Sequence, residues 1–559
     1  MGSIAQKEQP SSWETKVAEK QKQTHAAIPE AWRLPESIVK SLAYPLEEKP
    51  NRLMELDIPR KSGILSEKEL AITEQNTVAG LLAKLSSGEL TSLEVTTAFC
   101  KRAAIAQQLT SCLTEIFFDV ALARAETLDK DREAGKPLGP LHGLPVSIKD
   151  GFQVTGQEAS IGYVSFLGKK SEKNSPLVDT LLNLGAVLYV KTNIPMTLMT
   201  ADSHNNIFGR CLNPHNTMLN AGGSSGGEGA LVAFRGSPIG VGTDVAGSVR
   251  IPSLCCGTYG FKPTSNRVPY GGQAIPGLPG FKPIVASAGP LANDFEALEI
   301  FTKAVIDTTP ALLDSTTIDV PWRKIDQPKK TALRFGLLPA DPAYPLHPPI
   351  ERALEEAARK LQAQGHEVVT LSSGETRTAD AIEVAFALFS LAPEAARKHI
   401  QASGEPPVPS VANQPSPANQ GKYTYIPSLE GLDRLGQLAA VSVKRQQFVE
   451  DWRNLWVQHK LDAIIAPSAQ NTAVSHDTFG WPPYTCLFNL LDYPACVIPF
   501  SKASKDIDSK PLVIEPWQAG PKYDPEIIDG APCSIQVVTR TMRDEECLVA
   551  AGIVDACLK

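Results

Sequence analysis

After Thr77, apolar residues recur at three- and four-residue spacing, at Val78, Leu81, Leu82 and Leu85, which predicts an amphipathic helix entered from a threonine cap. Thr91 and Ser92 cap a second helix that the pattern carries through Ala104. The globular core is expected to start here. Short apolar runs at 146–148, 187–190 and 239–241 then alternate with helical segments, the order of a sheet layered between helices. The fold class is α/β. Between about 310 and 450 lie further amphipathic helices, 350–364 among them, and a Pro-, Ser- and Asn-rich run at 406–417 that reads as a long surface loop or insertion. Core-like sequence returns at 461–466 and 495–500, and a helix near 545–558 closes the chain. Residues 1–75 are polar, helical in pattern and broken by Pro35, Pro45, Pro50 and Pro59, so they are expected to wrap over the core. The organisation expected is a wrapping segment at 1–75 and one domain at 76–559 with a variable insertion near 310–450.

Composition changes this picture mainly by exclusion. With 559 residues, 42% of them hydrophobic, the chain can bury a large core. The net charge of -7, from 61 acidic and 54 basic residues without a basic block, offers no footprint for a nucleic-acid backbone. No apolar core of a secretory signal and no run of 18 apolar residues occurs, so neither export nor a membrane span is expected, and the location expected is cytoplasmic. The first six residues resemble a myristoylation signal, but Gln6 stands where Ser or Thr is needed and no basic cluster follows. Ten cysteines are scattered without a Cys-x-x-Cys pair, which favours buried free thiols over a metal or redox site.

Three segments carry the candidate chemistry. In Ala221-Gly222-Gly223-Ser224-Ser225-Gly226-Gly227-Glu228-Gly229, five glycines and two serines precede an apolar helical stretch, a density that is costly unless backbone approaches something closely. Thr243-Asp244-Val245-Ala246-Gly247-Ser248-Val249-Arg250 follows a predicted strand and presents a serine after a small, Gly-containing turn. Leu144-Pro145-Val146-Ser147-Ile148-Lys149 places a lysine at a strand end. A lysine buried there loses solvation and becomes a neutral base, at a cost of roughly 4 to 5 kcal/mol for half-neutrality at pH 7. A serine between it and a second serine would relay the proton, and turn amides would hold a developing oxyanion.

Each segment by itself has a plainer reading. Lys149 alone is a surface lysine, Ser248 an N-cap or turn serine, and Asp244 with Arg250 a solvated ion pair. A flexible linker would not run into Ala230-Leu231-Val232-Ala233-Phe234, and a phosphate-binding loop needs a lysine that is missing. Gly222-Gly223-Ser224-Ser225-Gly226 also satisfies the Gly-x-Ser-x-Gly elbow of α/β-hydrolases, with His476 the candidate base, but polar residues rather than an apolar strand precede it. A binding protein that had lost catalysis would not need to keep all three segments.

Together the segments resemble the amidase signature family, most closely from about 77 to 305 and from 450 to 557. Trp481-Pro482-Pro483-Tyr484-Thr485 and Leu491-Asp492-Tyr493-Pro494-Ala495 look like the fungal acetamidases and general amidases of that family. The resemblance implies a three-layer α/β/α sandwich around a large mixed sheet and hydrolysis of small aliphatic or aromatic primary amides through an acyl-enzyme. It implies Lys149 as base, Ser224 as bridging serine after a non-proline cis peptide, Ser248 as nucleophile and Ser225 as an auxiliary hydroxyl. The oxyanion donors carried over are the amides of Val245, Ala246, Gly247 and Ser248, with Asp244 and Arg250 in support. Leu198, Met199 and Trp481 are carried over as pocket residues, and their apolar character points to an uncharged acyl group. One departure is Ala246, where the family more often has glycine. The partner implied is the amide substrate, with a homodimer left open, and no cofactor or metal is needed.

Overall fold

The computed structural model describes residues 12–325, 332–413 and 424–559. Its strands are β1 (Leu113–Ile116), β2 (Pro145–Lys149), β3 (Val187–Thr192), the short pair β4 (His204–Asn205) and β5 (Gly209–Arg210), β6 (Ile239–Asp244), β7 (Tyr259–Lys262), β8 (Ser287–Ala292), β9 (Arg334–Leu337), β10 (Glu367–Thr370), β11 (Ala463–Pro467), β12 (Ala495–Lys502) and β13 (Pro532–Val538). All but β4 and β5 form one eleven-stranded sheet, ordered β1, β3, β2, β6, β8, β7, β12, β13, β11, β9, β10. The sheet is mixed. β2 runs parallel to β3 and β6, and β9 parallel to β10 and β11, while the strands between these groups pair antiparallel. Helices cover the sheet, giving an α/β sandwich.

The apolar runs became β2, β3 and β6, which are buried along their whole length, as expected of parallel strands covered on both faces. The capped helices formed as Val78–Ser87 and Ser92–Thr110, the latter with a capping box between Thr91 and Glu94. This second helix runs six residues beyond Ala104. Gln107 and Gln108 interrupt its apolar pattern, but Gln108 bonds Leu34 N–H and Trp32 C=O, and Gln107 takes Leu113 N–H, so neither is left unsatisfied. The helices expected at 350–364 and 545–558 are Pro348–Ala363 and Asp544–Leu558.

In the N-terminal region, prolines mark helix starts. Pro35 precedes Glu36–Ser41 and Pro59 lies in the first turn of Ile58–Lys61. The helix Trp13–Ala26 is tied to β1 through buried Lys20, which pairs with Glu115 and, at 3.3 Å, with Glu158. The proline-rich run begins with a short helix, Pro409–Ala412, behind buried Val408. Residues 414–417 of the run, like the myristoylation-like start, lie outside the described residues. Nine of the ten cysteines are buried and free and Cys557 is half-buried. Among the described residues no helix is long and apolar enough to cross a membrane.

Candidate active site

Lys149 is the last residue of β2 and Asp244 the last of β6, and the parallel register of these strands brings both to one edge of the sheet. Lys149 is 1% exposed, and its Nζ donates to Ser224 Oγ and to Thr243 Oγ1, each at 2.8 Å. No carboxylate hydrogen-bonds it among the described residues. The Gly-Ser loop leads into the helix Gly226–Ala233, and its Gly223–Ser224 peptide is cis. Ser225 stitches this loop to its neighbours: its N–H donates to Ser248 C=O at 3.2 Å and its Oγ accepts Thr243 N–H at 3.3 Å. Ser248, just before the helix Arg250–Cys256, is 8% exposed and Ser224 is 3% exposed. The two loops are thus held together by backbone. The hydroxyls of Ser224 and Ser248 do not hydrogen-bond each other in this structure.

Burial brings the Lys149 amine down to about 7, and Asp244 and Glu228 offset only part of the effect. Glu228, fully buried in the first turn of the Gly-Ser helix, accepts from Ser147 Oγ at 2.5 Å and Thr192 Oγ1 at 2.9 Å. Burial pushes its carboxyl up to about 8, against the pull of those hydroxyls and of Lys149. Ser147 and Lys149 are two residues apart on β2 and share a face, so Glu228 lies on the same sheet face as Lys149. Asp244 behaves oppositely. Burial would raise its carboxyl, but Arg250 overcomes this and holds it well below the usual carboxylate range, helped by Lys262 and Asn489.

The turn after β6 is built around that carboxylate. Asp244 accepts from Gly247 N–H at 2.8 Å, Val249 N–H at 3.1 Å, Arg250 Nε at 3.1 Å and Asn489 Nδ2 at 2.8 Å. Asp244 and Arg250 are therefore a buried pair, not a solvated one, and Arg250 reaches on to Gln536 and Asn489. The Gly247 amide, expected among the oxyanion donors, is committed to Asp244 in this structure. The substitution at Ala246 is explained by the backbone. The turn's positive φ, 130°, falls on Gly247, where a Cβ would collide with Thr485 Oγ1, whereas Ala246 is not among the residues with positive φ. Ala246 C=O accepts from that same Thr485 hydroxyl at 2.7 Å.

Residues 94–548 match the family model described as Amidase. The chain belongs to the amidase family. It is similar to an amidase of Gibberella moniliformis, 37% identical with 98% of this chain and 99% of that protein covered, and to an acetamidase of Emericella nidulans, 39% identical with 97% of each covered. Among solved structures, a fatty acid amide hydrolase superposes with a TM-score of 0.86 at 31% identity, covering 98% of this chain and 95% of that one. A bacterial aryl acylamidase shares the fold at a TM-score of 0.67 and 20% identity. The protein is accordingly an amide hydrolase.

In this amidase, Ser248, Val245 and Ala246 border a cavity of about 30 Å³ together with Leu198, Met199, Ile251, Phe386 and Trp481. Thr197 and Leu198 both take positive φ, 73° and 60°, a local strain at the cavity wall. Phe386 was not singled out by the sequence. It comes from the helix Thr378–Phe389, inside the region expected as insertion, and meets Trp481 edge to face. Thr243 and Glu228 were also missed, although both lie in the quoted segments, because an ordinary threonine and glutamate carry no signal until their partners are placed. His476 is remote from this chemistry: its Nε2 bonds Thr217 C=O at 3.0 Å, and burial lowers it to about 4.

Proposed function

We propose that the amidase works by acyl transfer to Ser248, with Lys149 as base and Ser224 as relay. Ser248 Oγ attacks the amide carbon and its proton passes through Ser224 to Lys149. The carbonyl oxygen becomes an oxyanion at the amides of Val245, Ala246 and Ser248. As the C–N bond breaks, the same path returns the proton to the leaving nitrogen. Water then attacks the acyl-Ser248 ester, gives a proton back along the path, and releases carboxylate and regenerated Ser248. The missing Ser224–Ser248 link closes when Ser248 turns toward the loop, which the backbone contact already holds adjacent; such bonds commonly tighten only with substrate bound.

The observation that carries this reading is a fully buried lysine whose hydrogen-bond partners are two hydroxyls, one on the Gly-Ser loop, and whose amine burial brings down to about 7. The substrates proposed are small aliphatic or aromatic primary amides, cleaved to carboxylate and ammonia. The 30 Å³ cavity favours the aliphatic end of that range, and similarity to a protein named acetamidase points the same way. Nucleophile, base and oxyanion donors all come from the chain, so turnover is expected to survive exhaustive chelation. The test is mass analysis of protein quenched during turnover of a slow ester. Acyl mass on Ser248 is expected; acyl mass on Ser224 or any other serine would overturn the mechanism.

A further inference from the structure

Two cavities meet at Trp481. The first is the acyl cavity of about 30 Å³, room for roughly two or three atoms if one water needs about 10–15 Å³. The second, about 330 Å³, shares Thr200, Ala201, Gly480 and Trp481 with it and is mixed in character, with Asp202, Ser410, Asp477, Thr478 and Gln518 beside Phe479 on its walls. Several of its polar groups lack partners. Asp202 is 2% exposed and uses Oδ2 for Arg210 and for the Asp477 amide, while its Oδ1 has no hydrogen-bond partner. Ser410 Oγ and Trp481 Nε1 are buried and equally unserved.

The charge around this cavity is unbalanced. Arg210 pairs with two cavity residues, Asp202 at 2.5 Å and Asp477 at 2.7 Å, while Glu47, 3.7 Å away, lies outside the lining and burial raises the Asp202 carboxyl. His204 and His476 add nothing at neutral pH, since burial and Arg210 lower both to about 4. A wall carrying Asp202 and Asp477, with one guanidinium between them, suits a ligand that brings hydrogen-bond donors or a cation.

We propose that this second cavity holds the amine half of a substituted substrate, so that beside primary amides the protein also cleaves secondary amides joining an acetyl-sized acyl group to an amine bearing a donor or positive charge. The inference rests on the acyl-transfer reading of Ser248. Ammonia would leave a cavity ten times the acyl cavity's size without a use, whereas a substituted amine fills it. When the C–N bond breaks, the nitrogen takes the proton returned through Ser224 and departs as a free amine. That amine gains a second proton from water and becomes an ammonium, which the acidic wall stabilises.

The test compares kcat/KM of the full-length protein for acetamide, N-propylacetamide, N-(2-aminoethyl)acetamide and hexanamide. The aminoethyl compound is expected to exceed the propyl compound by about 10- to 100-fold, the scale of a charge-assisted hydrogen bond, with the gain mainly in KM. In Asp477→Asn, and independently in Gln518→Ala, that ratio should shrink toward one; a ratio taken on one protein cancels any general loss of fold. Equal values for the two N-substituted acetamides would overturn the proposal, and so would hexanamide as the best substrate. No turnover of any amide, with no covalent label on Ser248, would strike the acyl-transfer reading itself.

Discussion

Lys149 and Lys191 stand on neighbouring parallel strands, one register step apart, and both are fully buried. Burial lowers both amines. Their partners separate them. Lys191 donates to Glu158 C=O and lies 3.7 Å from Asp150 Oδ1, an ion pair inside the protein. Lys149 donates hydrogen bonds to the hydroxyls of Ser224 and Thr243, and among the described residues no carboxylate hydrogen-bonds it. Desolvation by itself therefore does not make a base. A buried lysine becomes one when its neighbours can hydrogen-bond the neutral amine without supplying the charge that would keep it protonated.

Deleting each lysine in turn separates the two roles. Lys149→Ala should cost about 10⁴-fold or more in turnover at pH 7 while the fold persists, with partial recovery as pH rises. Lys191→Met should leave the shape of the pH–rate profile unchanged but lower stability by about 3 kcal/mol in thermal or denaturant unfolding, because Asp150 stays buried without its cation. Identical pH profiles for wild type and a residually active Lys149 variant would dissolve the distinction. Ser224→Ala should follow at roughly 10³-fold, with fluorophosphonate still labelling Ser248, though slowly.

Wild-type kcat/KM should rise with pH through about 7, since protonated Lys149 cannot accept the relayed proton below that point. Thr243→Val sharpens the reading by removing one acceptor of the lysine's charged form. Activity should fall by about tenfold or less, and the acid limb should move to lower pH, because loss of that acceptor favours the neutral amine. A shift to higher pH would contradict the role given to the hydroxyl. The smallest effect on rate is expected from Glu228→Gln. The raised carboxyl of Glu228 binds a proton more tightly folded than unfolded, so its stabilisation is complete below about 4.5 and is lost as pH climbs toward 8. Glu228→Gln should flatten the decline of melting temperature between pH 5 and 7, with activity at pH 6 changed by less than about threefold.

Much of the catalytic frame was legible because it makes unusual demands on backbone. The glycine density around Ser224 and the Gly-containing turn before Ser248 are rare enough to be read together, and β2, β3 and β6 announce themselves as short apolar runs. Strand β13 did not, because buried Ser534 and Gln536 break its pattern; Ser534 bonds Ser468 and Gln536 bonds Pro467 and Tyr484 across neighbouring segments. Phe386 was illegible for a different reason. An aromatic in an amphipathic helix looks like core wherever it sits, and only its meeting with Trp481, 95 positions on, makes it a cavity wall.

The amino-acid sequence alone set the class of fold, the capped helices, the buried strands and the three segments proposed to carry the chemistry. Those depend on periodicity, caps and glycine, all local to the chain. The folded chain settled which buried lysine meets hydroxyls and which an ion-pair partner, which turn amide is already engaged by Asp244, why alanine is tolerated at 246 and glycine is required at 247, and how small the cavity beside Ser248 is. Each of those depends on distances between residues remote along the chain, where desolvation and steric exclusion act through space.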